Sequence, residues 1–165
     1  MEIQEIRKIY KKSEQVSLAV MLLALPVFGI IYLFLDSGKH LMDVPEIPEF
    51  LVWVLALICI VILVAQYLVF DQKIKLTFKK EELLEKVKIY AQATIQRYLI
   101  LLGASLVSSV GLLLSHNPIF TLLFAITLTF FSLAKPTPDR MARLMKLKKE
   151  QMELIRAAAR PEIPD

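Results

Sequence analysis

The apolar positions of this chain do not recur at helix or strand period across its length; they gather into uninterrupted blocks. Gln15–Leu35 and Phe50–Phe70 each run without a single charged side chain. At about 1.5 Å per residue, either block reaches roughly 30 Å as a helix, the thickness of a bilayer's hydrocarbon core. Residues 98–134 also lack Asp, Glu, Lys and Arg, and they are too many for one crossing. Asn117-Pro118 divides them into Tyr98–Ser115 and Pro118–Ala134, since Asn caps a helix start well and Pro fits its first turn. The pattern predicts an all-α integral membrane four-helix bundle made of two transmembrane hairpins.

Between the blocks the spacing changes. Leu83, Leu84, Val87, Tyr90, Ala91, Thr94 and Ile95 recur every three or four residues, which predicts an amphipathic helix over 81–97 running into the third span. Ile3, Ile6 and Tyr10 do the same ahead of the first span. After the fourth, Thr137 is placed to cap a helix starting at Pro138, with Asp139 in its first turn. That helix would carry the apolar line Met141, Leu144, Met145, Met152 and Ile155, interrupted by Lys148. Five segments result: an amphipathic lead-in at 1–14, a hairpin at 15–70, a basic loop and helix at 71–97, a hairpin at 98–134 and a basic tail at 135–165.

Charge then gives the chain a direction. Nineteen of the 20 Lys and Arg residues lie in the lead-in, the middle segment and the tail. Between the first and second blocks there is only Lys39, beside Asp36, Asp43, Glu46 and Glu49. Positive residues stay on the cytoplasmic side of short loops, so both termini and the middle segment are expected in the cytoplasm, on a bacterial inner membrane. The first block is about twice the length of a secretory apolar region and lacks small residues at the cleavage spacing, so it reads as a signal anchor. The surplus of positive charge thus needs no nucleic acid to explain it; anionic lipid headgroups are the expected counterpart.

A weak internal repeat accompanies the pattern. Glu2, Glu5, Lys8, Ile9 and Tyr10 return 80 residues later as Glu82, Glu85, Lys88, Ile89 and Tyr90. Lys79-Lys80-Glu81-Glu82-Leu83 likewise resembles Lys148-Lys149-Glu150-Gln151-Met152. Two tandem parallel hairpins would produce both matches, and so would the ordinary composition of helices flanking a membrane.

Candidate chemistry is sparse. A coupled ion carrier usually holds an ionisable residue at membrane depth, and the blocks contain no Asp, Glu, Lys or Arg. The sequence has no phosphate-cradling glycine loop, no HExxH and no CxxC, which argues against an enzyme and implies no cofactor. His40, Asp36, Asp43 and His116 could in principle offer zinc ligands, but their spacing matches no dedicated motif, so no metal is assigned. The third span is distinguished by its small residues: Gly103, Ala104, Ser105, Ser108, Ser109 and Gly111 let another helix approach closely, for packing or oligomerisation. In the tail, the Met-containing line with Arg140, Arg143 and Lys146 is the expected docking face for a partner or a lipid surface. The sequence therefore points to a non-enzymatic accessory or scaffold subunit of a membrane complex, either as a homo-oligomer or beside other membrane subunits. Rival readings are a small oligomeric channel or carrier for an uncharged or lipophilic solute along Ser105, Ser109, Thr121 and Thr127, and an integral-membrane enzyme built on His40, His116 and the outer acids.

Overall fold

A computed structural model describes residues 2–37 and 47–160. Among these residues there are six α-helices and no strand: α1 (Glu2–Asp36), α2 (Glu49–Thr77), α3 (Leu83–Ser115), α4 (Ile119–Ala134), α5 (Pro138–Leu144) and α6 (Lys149–Ala159). The lead-in and the first apolar block are one 35-residue helix, α1, which continues through Pro26. The amphipathic segment and the third block are likewise one 33-residue helix, α3. Helix α2 does not stop where its apolar block stops. It continues to Thr77, with an Asp71–Lys75 ion pair of 2.7 Å on the exposed side of its last turns, one helical turn apart. The basic loop expected after Phe70 is thereby reduced to a short connection, with helix resuming at Leu83.

Helices α1, α2 and α3 are each long and apolar enough to cross a membrane. Helix α4 has only 16 residues and makes a fourth candidate only together with α5, from which a sharp bend separates it. Three or four candidate spans are compatible with a multi-pass membrane protein.

The fold divides into two compact units. The apolar unit holds Ala19–Tyr67 and Tyr98–Ala134. Its core takes Ala24 and Phe28 from α1, Ala56 and Cys59 from α2, Leu101 and Ala104 from α3, and Phe120 and Phe131 from α4. Phe28 stacks on Phe124 with ring centroids 3.8 Å apart, and the Tyr98 hydroxyl donates to the Phe131 carbonyl at 3.0 Å. Outside this core the surface is apolar. Leu22, Leu33, Trp53, Leu57, Val61 and Leu122 are all more than half exposed. A water-soluble domain rarely shows so contiguous an apolar surface, whereas hydrocarbon tails solvate it without penalty. Only 11% of the most apolar window of α1 is buried against 44% for α3, so α3 is the most enclosed of the three long helices.

The basic unit holds residues Met1–Leu18, Leu68–Arg97 and Lys135–Asp165. Its core joins Ile6 and Tyr10 of α1, Phe70 and Ile74 of α2, Val87 and Tyr90 of α3, Met141 and Met145 at α5, and Ile155 and Ala158 of α6.

Here one expectation is corrected. The tail is not a single helix from Pro138; it breaks into α5 and α6. Helix α5 begins as the sequence predicts, with the Thr137 hydroxyl accepting from the Arg140 N–H at 3.3 Å. It ends because Lys146 takes a left-handed conformation, φ 50°. The Leu147 N–H then reaches back to the Ala142 carbonyl at 3.0 Å and the Lys146 N–H to the Arg143 carbonyl at 3.3 Å, closing a Schellman turn. Glycine is the usual residue there, and its absence hid the break.

Candidate functional site

Four regions could carry function. The first is the small-residue face of α3, in the apolar unit. Ala104, Ser105, Ser108 and Ser109 are buried. The Cys59 thiol of α2 lies 3.3 Å from the Ser108 hydroxyl and 3.6 Å from the Ala104 carbonyl, an approach that larger side chains would prevent. The serine donors are used locally. Ser108 bonds the Ala104 carbonyl at 2.9 Å, Ser109 that of Ser105 at 2.8 Å, and Ser105 that of Leu102 at 2.8 Å. Thr127 of α4 does the same with Leu123 at 2.8 Å. These hydroxyls therefore present acceptors, not free donors, to whatever lies beside them.

Gly111 and Gly103 part company. A Cβ at Gly111 would run into the Phe120 ring, so this glycine is required by the packing of α4. Around Gly103 the space is open, so it serves no close approach within the chain.

The second region is the tail. Met141, Met145 and Ile155 are almost wholly buried in the core of the basic unit, and Leu144 packs against it. The apolar line expected as a docking face is thus covered by the chain itself, with Met152 half-buried. What the tail leaves open is charge. Arg143 and Lys146 are exposed and Arg140 is half-buried. Lys146 sits 5.2 Å above the exposed Phe78 ring. The tail is tied down by polar contacts as well. Arg7 donates to the Ala158 carbonyl at 3.2 Å and to that of Ala157 at 3.3 Å, capping the carboxyl end of α6 with a cation. Arg156 pairs with Asp139 at 2.7 Å, and the Tyr10 hydroxyl donates to the Pro136 carbonyl at 3.2 Å.

The third region is one that the sequence does not single out: a buried polar layer in the basic unit. Tyr10, Ser13 and Ser17 follow one stripe of α1; Tyr90, Thr94 and Arg97 follow one stripe of α3, and all six are buried. The Arg97 guanidinium lies 4.9 Å over the Phe70 ring, which also meets Tyr90 edge-on. Burial, then the charge of Glu14 and the neighbouring Tyr90, push the Tyr10 phenol up to about 12. Burial also raises Tyr90, against the opposing pull of Arg140, Thr94 and Arg97. Tyr10 and Tyr90 are the pair related by the 80-residue repeat, the one sequence signal that could have marked the layer.

These raised phenols make the fold sensitive to alkali. A phenol whose folded pKa exceeds its unfolded value near 10 stabilises the fold fully below pH 10 and loses that contribution as pH rises through about 12. Tyrosinate absorbance should accordingly show a late phase to which Tyr10 and Tyr90 contribute. In Tyr10→Phe the late phase should shrink; an unchanged late phase would reject the assignment.

The fourth region is a cavity of about 240 Å³ in the apolar unit, at the carboxyl ends of α1 and α3. Tyr32, Leu35, Asp36, Leu112, His116 and Pro118 line it. Two of the four residues considered as zinc ligands, Asp36 and His116, thus meet at one cavity; His40 and Asp43 lie outside the described residues. Among the described residues no three His, Cys, Asp or Glu side chains gather as metal ligands.

Comparison with protein-family models, curated proteins and solved structures finds no match for this chain.

Proposed function

We propose that the chain is a four-span protein of a bacterial inner membrane, with both termini in the cytoplasm, acting as a non-enzymatic subunit or scaffold. The observation that carries this reading is how the basic unit uses its residues. Most of its apolar side chains pack inward, with Ile3, Leu76 and Phe78 among the exceptions, while Lys8, Lys11, Lys12, Lys79, Lys80, Lys88, Arg143 and Lys149 remain exposed. Such a surface recognises partners by charge: anionic headgroups, or an acidic face of another subunit. Its placement on the cytoplasmic side rests on the positive-inside rule. The fourth crossing falls to α4, roughly 24 Å long at 1.5 Å per residue. A helix short by a few ångströms is accommodated by local thinning of the bilayer, at a fraction of a kcal/mol per ångström.

The scaffold role is tested by purification in mild detergent at native expression, followed by mass spectrometry. A stoichiometric membrane partner, or a homo-oligomer, is expected; recovery of monomer alone would overturn it. Topology is tested separately with reporters fused at each terminus. Both should report cytoplasm, and opposite sides would exclude an even number of spans.

A further inference from the structure

The Met line of the tail is covered by the chain, but the basic unit leaves two apolar side chains in the open at the end of α2. Leu76 and Phe78 are each 48% exposed. Thr77 between them is fully buried, and its hydroxyl donates to the Ile74 carbonyl at 2.6 Å, which fixes the turn. The α5–α6 turn reaches the same place. Lys146, the left-handed residue that breaks the tail, holds its ammonium 5.2 Å over the Phe78 ring. Such a contact is weak in water and leaves the ammonium's N–H donors for another acceptor. Lys73, Lys75, Lys79 and Lys80 flank the apolar pair in sequence. Asp71 holds Lys75 and Glu85 holds Lys80, whereas among the described residues neither Lys79 nor Lys146 is ion-paired. Glu81 and Glu82 are exposed on the same connection. The Glu82 carbonyl accepts the Lys86 N–H at 3.2 Å, so both acids stand at the start of α3, where the helix dipole offsets their charge.

Depth decides what meets this patch. Helix α2 has 29 residues, about 43 Å at 1.5 Å per residue, against roughly 30 Å of hydrocarbon and 40–45 Å of whole bilayer. With the charge-free Phe50–Phe70 in the hydrocarbon, Leu76 stands about 9 Å further along the axis. Helical side chains lean towards the amino end, so Leu76 leans back towards the span, to the depth of the headgroups. There an apolar side chain flanked by lysines is stable: its carbon meets the acyl boundary while the ammonium groups stay among phosphates. A protein partner suits the patch less. Two half-exposed side chains fall far short of the roughly 800 Å² that a stable interface takes from each partner.

We infer that Leu76 and Phe78 seat in the headgroup layer, and that Lys79 and Lys146 hold the phosphate of an anionic phospholipid beside them. The inference deepens the proposed recognition by charge and rests on α2 crossing the membrane. Trp53 is the only tryptophan, so Trp53→Phe combined with Phe78→Trp leaves a single indole, at the patch. The full chain with both changes is placed in nanodiscs of phosphatidylcholine, alone or in equal parts with phosphatidylglycerol. Both faces have the same composition, so the outcome does not depend on sidedness. The indole should be quenched by a lipid with a headgroup nitroxide and shielded from acrylamide. Acrylamide quenching without a nitroxide effect puts the patch in water and overturns the inference; shielding from both means that protein covers it and overturns the inference too. Native mass spectrometry of the chain in detergent reads the lysines. Wild type should prefer phosphatidylglycerol to phosphatidylcholine of the same acyl chains about fivefold or more, the scale of one lysine beside an anionic surface. Lys79→Gln with Lys146→Gln should bring that preference to parity, whereas Lys8→Gln with Lys12→Gln, at exposed lysines of α1, should leave it intact. Equal loss in both pairs means diffuse charge in place of a site and overturns the inference, as does no loss in the first pair. Neither measurement involves a membrane partner, so failure here leaves the subunit reading to its own purification test.

Discussion

Replacing Gly111 by alanine is expected to destabilise the apolar unit, whereas the same change at Gly103, two turns earlier in the same helix, should stabilise it. In a helix interior alanine is favoured over glycine by about 1 kcal/mol, so propensity alone predicts a gain at both sites. Packing reverses the sign at one of them. The new methyl at 111 would overlap the Phe120 ring, and Phe120 is fully buried, so the ring cannot swing aside without displacing its own neighbours. Overpacking of this kind typically costs about 1–3 kcal/mol, and Gly111→Val should exceed alanine because its branches extend the overlap. At Gly103 nothing lies within 4 Å of the added carbon. Thermal unfolding in detergent reads both. Phe120→Leu should partly rescue Gly111→Ala, since the two residues touch directly and their effects will not add. Shifts of equal sign at the two glycines would mean that α4 does not pack on α3 at this point.

That contrast shows where sequence pattern stops being informative. The charge-free blocks, the Asn117-Pro118 division and the Thr137 cap are local signals, and the helices follow them. Asn117 does what its position suggests, accepting the Ile119 N–H at 3.0 Å. Pattern fails where the deciding contact lies far along the chain. Gly103 and Gly111 look alike in a small-residue stripe, and only Phe120 separates them. The break at Lys146 has no glycine to announce it. Arg97 reads as one more membrane-flanking cation, yet it is buried over Phe70. The Met line of the tail reads as a docking face for a partner or a lipid surface, yet the chain itself covers it. Ile6, Phe70 and Val87, from three other helices, do so, and no local spacing could have named them.

Met141→Asp is expected to release the tail while leaving the spans intact. Met141 is 1% exposed and sits in the core of the basic unit. A carboxylate there must either stay ionised without a partner or force the core open, and a buried uncompensated charge costs about 3–5 kcal/mol. The polar interactions that otherwise hold the tail are modest. The Arg156–Asp139 pair is on the surface, worth about 1 kcal/mol or less, the Tyr10 hydrogen bond contributes about 0.5–1.5 kcal/mol and those of the Arg7 cation about 1.5–3 kcal/mol at most. Once its apolar side chains no longer pack in that core, α5–α6 should detach as a piece, because seven- and eleven-residue helices do not persist alone. Limited trypsinolysis tests this, since Arg143, Lys146, Lys148 and Lys149 surround the α5–α6 turn. Cleavage should be slow in the wild type and at least tenfold faster in Met141→Asp, with the fragment ending before residue 150 retaining its helical content in detergent. Arg7→Ala should give an intermediate rate, because it removes the cation at the end of α6 but leaves the core filled. Equal cleavage of all three proteins would show that the tail is already free, and the basic surface would then have to be sought on α1, α2 and α3 alone.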